Sequence, residues 1–257
     1  DKIMEQILKV DNLVKRYDDS YAVKNVSFTV NKGEVLVIIG ASGSGKSTIL
    51  RCINQLEKIG GGNITINEDS MIKEIKNGKV IYNAKDILNK MNLECGMVFQ
   101  NFNLFPHLSV LQNVTEAMVH VLKMDYKEAE KKALKILENM GLKGKEKQYP
   151  CSLSGGEQQR ASIARTLAID PQIIFMDEPT SALDPELVGE VLKVVKKLAS
   201  QNRTMVIVTH EIQFAKEIAD RVIFMCDGQI IEEGTPKDVI DNPKKKRTKE
   251  FLKRYSN

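Results

Sequence analysis

Residues Gly40-Ala41-Ser42-Gly43-Ser44-Gly45-Lys46-Ser47-Thr48 follow the spacing GxxxxGK[ST]. That spacing suits a polyphosphate. Backbone N–H groups can surround several negative charges only where side chains do not intrude, and glycines permit the close approach. A helix opening at Lys46 adds the partial positive charge of its N-terminus. In this pattern Lys46 reaches the β and γ phosphates and the Ser47 hydroxyl ligates Mg²⁺. Ser42, Gly43, Gly45 and Thr48 complete the candidate cradle. A second constellation supplies carboxylates, because the apolar run Ile173-Ile174-Phe175-Met176 leads directly into Asp177-Glu178. Asp177, at the C-terminal end of a buried strand, suits a metal-organising carboxylate. Glu178, one residue on, is placed to polarise an attacking water as general base. A Gly/Ser linker and an ordinary turn are the bland readings of these two segments. Their co-occurrence favours nucleotide chemistry.

These groups need elements to hold them. Val35 to Ile39 is apolar at every position, which predicts a strand buried on both faces, and it feeds the glycine-rich loop and a helix over Lys46–Gln55. Shorter strands are expected at Ile7–Val10, Val26–Val30, Ile64–Ile66 and Met97–Phe99, with turn chemistry at Asn31-Lys32-Gly33 and Gly60-Gly61-Gly62. Helical spacing runs from about Val110 to Met140, ended by Gly141 and Gly144, and again over Gly155–Ala168, stopped before Pro171. The last third alternates: strand Ile173–Met176, helix Pro185–Ser200, strand Met205–Val208, helix Ile212–Ile218, then a hairpin turning at Asp227-Gly228 between Val222–Met225 and Gln229–Ile231. Such switching between periods argues an α/β fold. The polar, Lys/Asn-rich segment Asn67–Asn92 reads as a surface excursion without placed elements.

Composition agrees with a globular chain: of 257 residues, 42% are hydrophobic and 28% charged, enough apolar side chains for a real core. No apolar run approaches the roughly 18 residues a membrane helix needs. Asp1-Lys2-Ile3-Met4-Glu5 lacks an apolar signal-peptide core, so an intracellular, non-secreted protein is expected, with Met4 as a possible natural start. The net charge is +4, but seven basic residues and one acidic residue crowd Asn242–Asn257, leaving about −2 elsewhere. That excludes a global nucleic-acid-binding field, and the basic run reads as a solvated tail. Cys52, Cys95, Cys151 and Cys226 are far apart, so reduced and mostly buried thiols are expected. With His107, His120 and His210 as the three histidines, no zinc cluster assembles from sequence neighbours.

Leu153-Ser154-Gly155-Gly156-Glu157-Gln158-Gln159-Arg160, followed about 20 residues on by the Asp177-Glu178-Pro179 strand end, resembles the ATP-binding cassette (ABC) family. The resemblance extends over essentially the whole chain. Tyr17 matches the aromatic that stacks on adenine, and Val23 falls in the same nucleotide-contacting region. Gln100 matches the glutamine that touches Mg²⁺ and senses the membrane partner. Ser181-Ala182-Leu183-Asp184 matches the loop that crosses between subunits, and His210 the γ-phosphate histidine. Glu157 stands where many members carry glutamine.

The resemblance implies a P-loop NTPase, RecA-like α/β core with a small antiparallel β subdomain, residues 1–100 and 161–257, and an inserted α-helical subdomain over 101–160. It implies ATP and Mg²⁺ as ligands, with Lys46, Glu178 and His210 catalytic and Ser47, Gln100 and Asp177 around the metal. Two copies would sandwich two ATP molecules, each between one copy's phosphate loop and the other's Ser154-Gly155-Gly156. One phosphate loop and the absence of membrane helices imply separate integral membrane permease subunits. Val98–His107, Ile231–Gly234 and the close at Asn242-Pro243, Arg247-Thr248-Lys249 and Phe251-Leu252 look like the polar-amino-acid importer subfamily. That subfamily works at the cytoplasmic face of the membrane, with an extracytoplasmic amino acid binding protein as an indirect partner. The alternative is a cassette acting on ribosomes or nucleic acid, for which a second cassette or a broad basic face would be expected.

Overall fold

A computed structural model describes residues 5–255 and contains two principal sheets. The expected start at Met4 lies outside the described residues. The first sheet is antiparallel, in the order β2-β1-β4-β5, built from β1 (Gln6–Tyr17), β2 (Ser20–Asn31), β4 (Gly61–Ile66) and β5 (Asp69–Ser70). The second has the order β12-β11-β3-β10-β9-β8. Its strands are β3 (Val35–Gly40), β8 (Cys95–Val98), β9 (Ile173–Asp177), β10 (Thr204–Val208), β11 (Arg221–Cys226) and β12 (Gln229–Gly234). All its pairings are parallel except β11 with β12, the hairpin expected at Asp227-Gly228.

Strand β3 shows how the core is organised. Successive side chains point to opposite faces, so Val35, Val37 and Ile39 enter one apolar cluster while Leu36 and Ile38 enter another. The first cluster packs beneath the helices α3 (Val110–His120), α4 (Tyr126–Asn139), α5 (Gly155–Ala168), α6 (Pro185–Ser200) and α7 (Ile212–Ile218), with Phe251 of α8 (Lys246–Leu252) also joining it. The second fills the space between the large sheet, the antiparallel sheet and α1 (Lys46–Ile53). Each such fully buried Leu or Ile contributes about 1.5–3 kcal/mol relative to exposure. The phosphate loop therefore leaves a strand held from both sides.

Three expectations change. The segment 67–92 is structured: β6 (Ile72–Lys76) and β7 (Lys79–Tyr82) form a hairpin through Asn77-Gly78, followed by α2 (Lys85–Glu94). The helical stretch 110–140 is two helices. Lys123 adopts φ +57°, and Asp125 caps α4 by accepting from Lys127 N (3.0 Å) and Glu128 N (3.3 Å). The cysteines divide, with Cys52 and Cys95 buried, Cys226 half-buried and Cys151 exposed. Burial pushes the Cys52 thiol up to about 12.

Candidate active site

The phosphate loop begins as β3 ends at Gly40 and closes as α1 starts at Lys46. Its path needs glycine. Gly45 has φ +95°, and a Cβ there would lie 2.3 Å from the Ala22 carbonyl oxygen. The Asp227-Gly228 turn braces the loop from below, with Gly228 N donating to Ser44 O at 3.2 Å. Lys46 is 3% exposed; its Nζ donates to Ala41 O at 2.8 Å and approaches Ser44 Oγ at 3.4 Å. Burial pushes its pKa below the usual lysine value, while Glu178 and Asp177 pull the other way.

The carboxylates arrive at the end of β9, which lies beyond β10 from β3. Asp177 is the last residue of β9, and Ser47 Oγ donates to its Oδ1 at 2.6 Å. Burial raises the Asp177 carboxyl above its ordinary range, with the Ser47 hydroxyl opposing. Glu178 turns out of the strand with φ +46°, its N–H bonded to Val208 O at 2.9 Å. Its Oε1 sits 2.7 Å from His210 Nε2, just beyond β10. That hydrogen bond holds the Glu178 carboxyl below its usual value, against burial. A residue in left-handed backbone at such a place carries strain of the kind stored at functional sites.

Lys46, Ser47, Ser42, Gly43, Gly45, Thr48, Gln100, Glu178 and His210 line one open cleft of about 420 Å³. Asp177 reaches its edge through Ser47. A larger hollow of about 630 Å³ lies at the opposite end of the sheet, between Gly33, Asn202, Asp220 and Thr235, and contains none of these groups.

Some expected residues stand elsewhere. Val23 is fully buried along with Val26, Phe28 and Val30, because an irregularity at Asn25 (φ +50°) shifts the phase of β2 between 23 and 26; Ala22 lines the cleft instead. Period-2 alternation carried back from Val30, Phe28 and Val26 would turn Ala22 inward, so the sequence offered no local signal for this choice. Tyr17, at the end of β1, is 40% exposed, outside the residues that line the cleft, with Lys15 Nζ 4.6 Å from its ring centroid. Ser154, Gly155 and Gly156 open α5, away from their own chain's cleft. There Ser154 Oγ accepts from Glu157 N (3.2 Å) while Glu157 Oε2 accepts from Ser154 N (2.9 Å), a reciprocal cap.

The family model described as "ABC transporter" matches residues 23–181. The chain belongs to the ABC transporter family. It is 50% identical over 244 residues to the glutamine transport ATP-binding protein GlnQ of Geobacillus stearothermophilus, covering 95% of this chain and 96% of that one. It is 48% identical over 246 residues to the arginine transport ATP-binding protein ArgV of Corynebacterium glutamicum, covering 96% and 97%. Among solved structures, the dimeric post-hydrolysis state of the ATP-binding cassette MJ0796 bound to ADP and Pi is similar with a TM-score of 0.75 at 35% identity, covering 90% of this chain and 99% of that one. As an ABC transporter ATPase, this chain binds nucleotide and hydrolyses ATP. Among its described residues no helix is long and apolar enough to cross a membrane.

Proposed function

We propose that this ATPase powers uptake of a polar amino acid through separate permease subunits, working as a homodimer that closes on two ATP molecules. The observation that carries the chemistry is the convergence of Ser47–Asp177 and Glu178–His210 on the phosphate loop's cleft. Backbone N–H groups of residues 42–48 and the Lys46 ammonium bind the phosphates. Glu178 Oε takes a proton from the attacking water as its oxygen bonds the γ-phosphorus and the bond to the β–γ bridging oxygen breaks. His210 orients that carboxylate and donates to the γ-phosphate; Tyr17 stacks on the adenine.

Ser47, Asp177 and Gln100 are the residues that would hold Mg²⁺. They fit it: hydroxyl, carboxylate and amide oxygens are hard donors, and a carboxylate destabilised by burial gains from a neighbouring cation. When bound, the ion neutralises charge on the β and γ phosphate oxygens.

Because Ser154-Gly155-Gly156 lie outside their own cleft, they meet nucleotide from a second copy, as an anion cradle at a helix N-terminus. Closure of the two copies drives the permeases between inward- and outward-facing states, with the helical segment 101–160 relaying it. The subunit sits peripherally at the cytoplasmic face of the membrane. An extracytoplasmic binding protein delivers the solute, and nucleic acid is not a partner. The relatives' names include arginine, glutamine, nopaline and cystine transport, which supports a polar amino acid or derivative as the solute class.

The test is purification from detergent-solubilised membranes with whatever integral membrane protein co-elutes, followed by reconstitution into proteoliposomes with ATP. ATP-dependent uptake of a polar amino acid is expected, with glutamine, arginine and cystine as the solutes assayed first. Recovery of ribosomes or DNA-bound proteins with no membrane subunit would overturn the transport reading and leave the ATPase chemistry standing.

A further inference from the structure

Gln159 is fully buried, one turn inside α5 from Ser154. Its Nε2 donates to two backbone carbonyls from distant parts of the chain, Phe99 O at 3.2 Å and Pro179 O at 2.7 Å. Phe99 immediately precedes Gln100, and Pro179 immediately follows Glu178. Both N–H bonds of one amide are therefore spent on the two segments that present the candidate metal-touching amide and the candidate base. The two acceptors dictate which way the amide points, since its oxygen would repel both carbonyls. Oε1 is left buried without a partner. An orphaned buried acceptor is unfavourable, and an apolar side chain would fill the same space without that cost. The residue's use lies in its donors.

The same helix grips the Gln100 loop further along. Arg165 Nη1 donates to Asn103 O at 2.6 Å and Nη2 to Phe102 O at 3.4 Å, where Phe102 and Asn103 both adopt left-handed backbone. Thr166 Oγ1 donates to Met97 O at 3.1 Å on the near side. The loop is thus moored to α5 on both sides of Gln100, but Gln159 alone among these three also reaches the Glu178 segment.

We propose that Gln159 is a positioning residue that couples α5, and with it the Ser154-Gly155-Gly156 cradle, to Gln100 and Glu178 at once. The inference rests on the reading of Gln100 and Glu178 given above. The two N–H directions of a planar amide are fixed relative to one another. A shift of α5 towards or away from a nucleotide therefore moves the Phe99 and Pro179 carbonyls together, and the site is geometrically complete only when all three segments are in register.

The test is Gln159→Met, which keeps length and packing but removes both donors, measured for ATP affinity, turnover and melting temperature. ATP affinity within about 3-fold of wild type and a kcat lower by about 10- to 100-fold are expected, since small misplacements of a reacting group cost that much. The decisive readout is a double-mutant cycle with Gln100→Ala. Gln159→Met should cost clearly less in that background than alone, because the Gln100 part of its effect is already lost and only the Glu178 part remains. Wild-type kcat in Gln159→Met, or a loss fully additive with Gln100→Ala, would overturn the positioning role. So would a kcat loss that only tracks a parallel fall in melting temperature. If the Met variant does not fold, Gln159→Leu, which also removes both donors, is measured in its place against the same outcomes. Wild-type turnover in Glu178→Gln would instead sink the reading of the cleft, so the two failures are distinguishable.

Discussion

Glu178 Oε1 and His210 Nε2 lie 2.7 Å apart, joining the segments that follow the neighbouring parallel strands β9 and β10. The bond keeps the carboxylate aimed into the cleft and its pKa below the ordinary value, so it stays ionised and able to accept a proton at neutral pH. Because the folded-state pKa is lowered, the stability this contact contributes is fully present above the unfolded carboxylate's value and is lost as pH falls through the lowered one. The melting-temperature difference between wild type and Glu178→Gln should therefore shift against wild type as pH falls from neutrality through the ordinary carboxylate value, about 4.3, and below it. Thermal melts across that window check it. A difference that moves in wild type's favour towards acid would contradict the assignment.

Lys46 carries positive charge in a buried place, and burial already pushes its pKa down. Lys46→Met should lower ATP affinity by about 10- to 100-fold, the scale of a hydrogen bond to a charged group. The fold should persist, with a melting temperature within a few degrees. Isothermal titration with ATP and a thermal melt on the same sample measure both.

The two central glycines of the phosphate loop make different demands. Gly43 has φ +78° with nothing within 4 Å of where a Cβ would stand, whereas a Cβ at Gly45 would strike the Ala22 carbonyl. Gly43→Ala should cost only backbone strain, about 1 kcal/mol. Gly45→Ala should cost clearly more and distort the contact between β2 and the loop. Urea unfolding of the two variants compares them directly, and equal costs would contradict the geometry.

Much of this architecture was legible wherever one structural demand dominated a segment. Val35–Ile39 had to be a strand buried on both faces, and Pro185–Ser200 and Ile212–Ile218 start and stop where expected. The phosphate loop and the Asp177-Glu178 strand end were readable because chemistry restricts which residues can stand there. Reading failed where two weak signals competed. Asn77-Gly78 is a strong hairpin turn, yet the flanking Lys and Glu hid the alternation of β6 and β7. Between α3 and α4 the apolar spacing continues across the break, and the Asp125 cap is a single residue in a run of polar ones. Val23 was placed by likeness to a pattern, while the inward side of β2 is a tertiary fact. Gln159, next to last in a motif known for its first residues, offered no local sign that its amide bridges segments 80 residues apart in sequence.

The central claim is that two copies close on ATP, with Ser154-Gly155-Gly156 of one completing the cleft of the other. Sedimentation velocity of the Glu178→Gln variant with and without saturating MgATP tests it most directly. The account predicts a 28.9 kDa monomer without nucleotide and a species of twice that mass with it. ATP turnover should be lower by about 100-fold or more, so the closed state persists. A chain that binds ATP and stays monomeric in the presence of its nucleotide, or one that turns ATP over at the wild-type rate, would contradict the account.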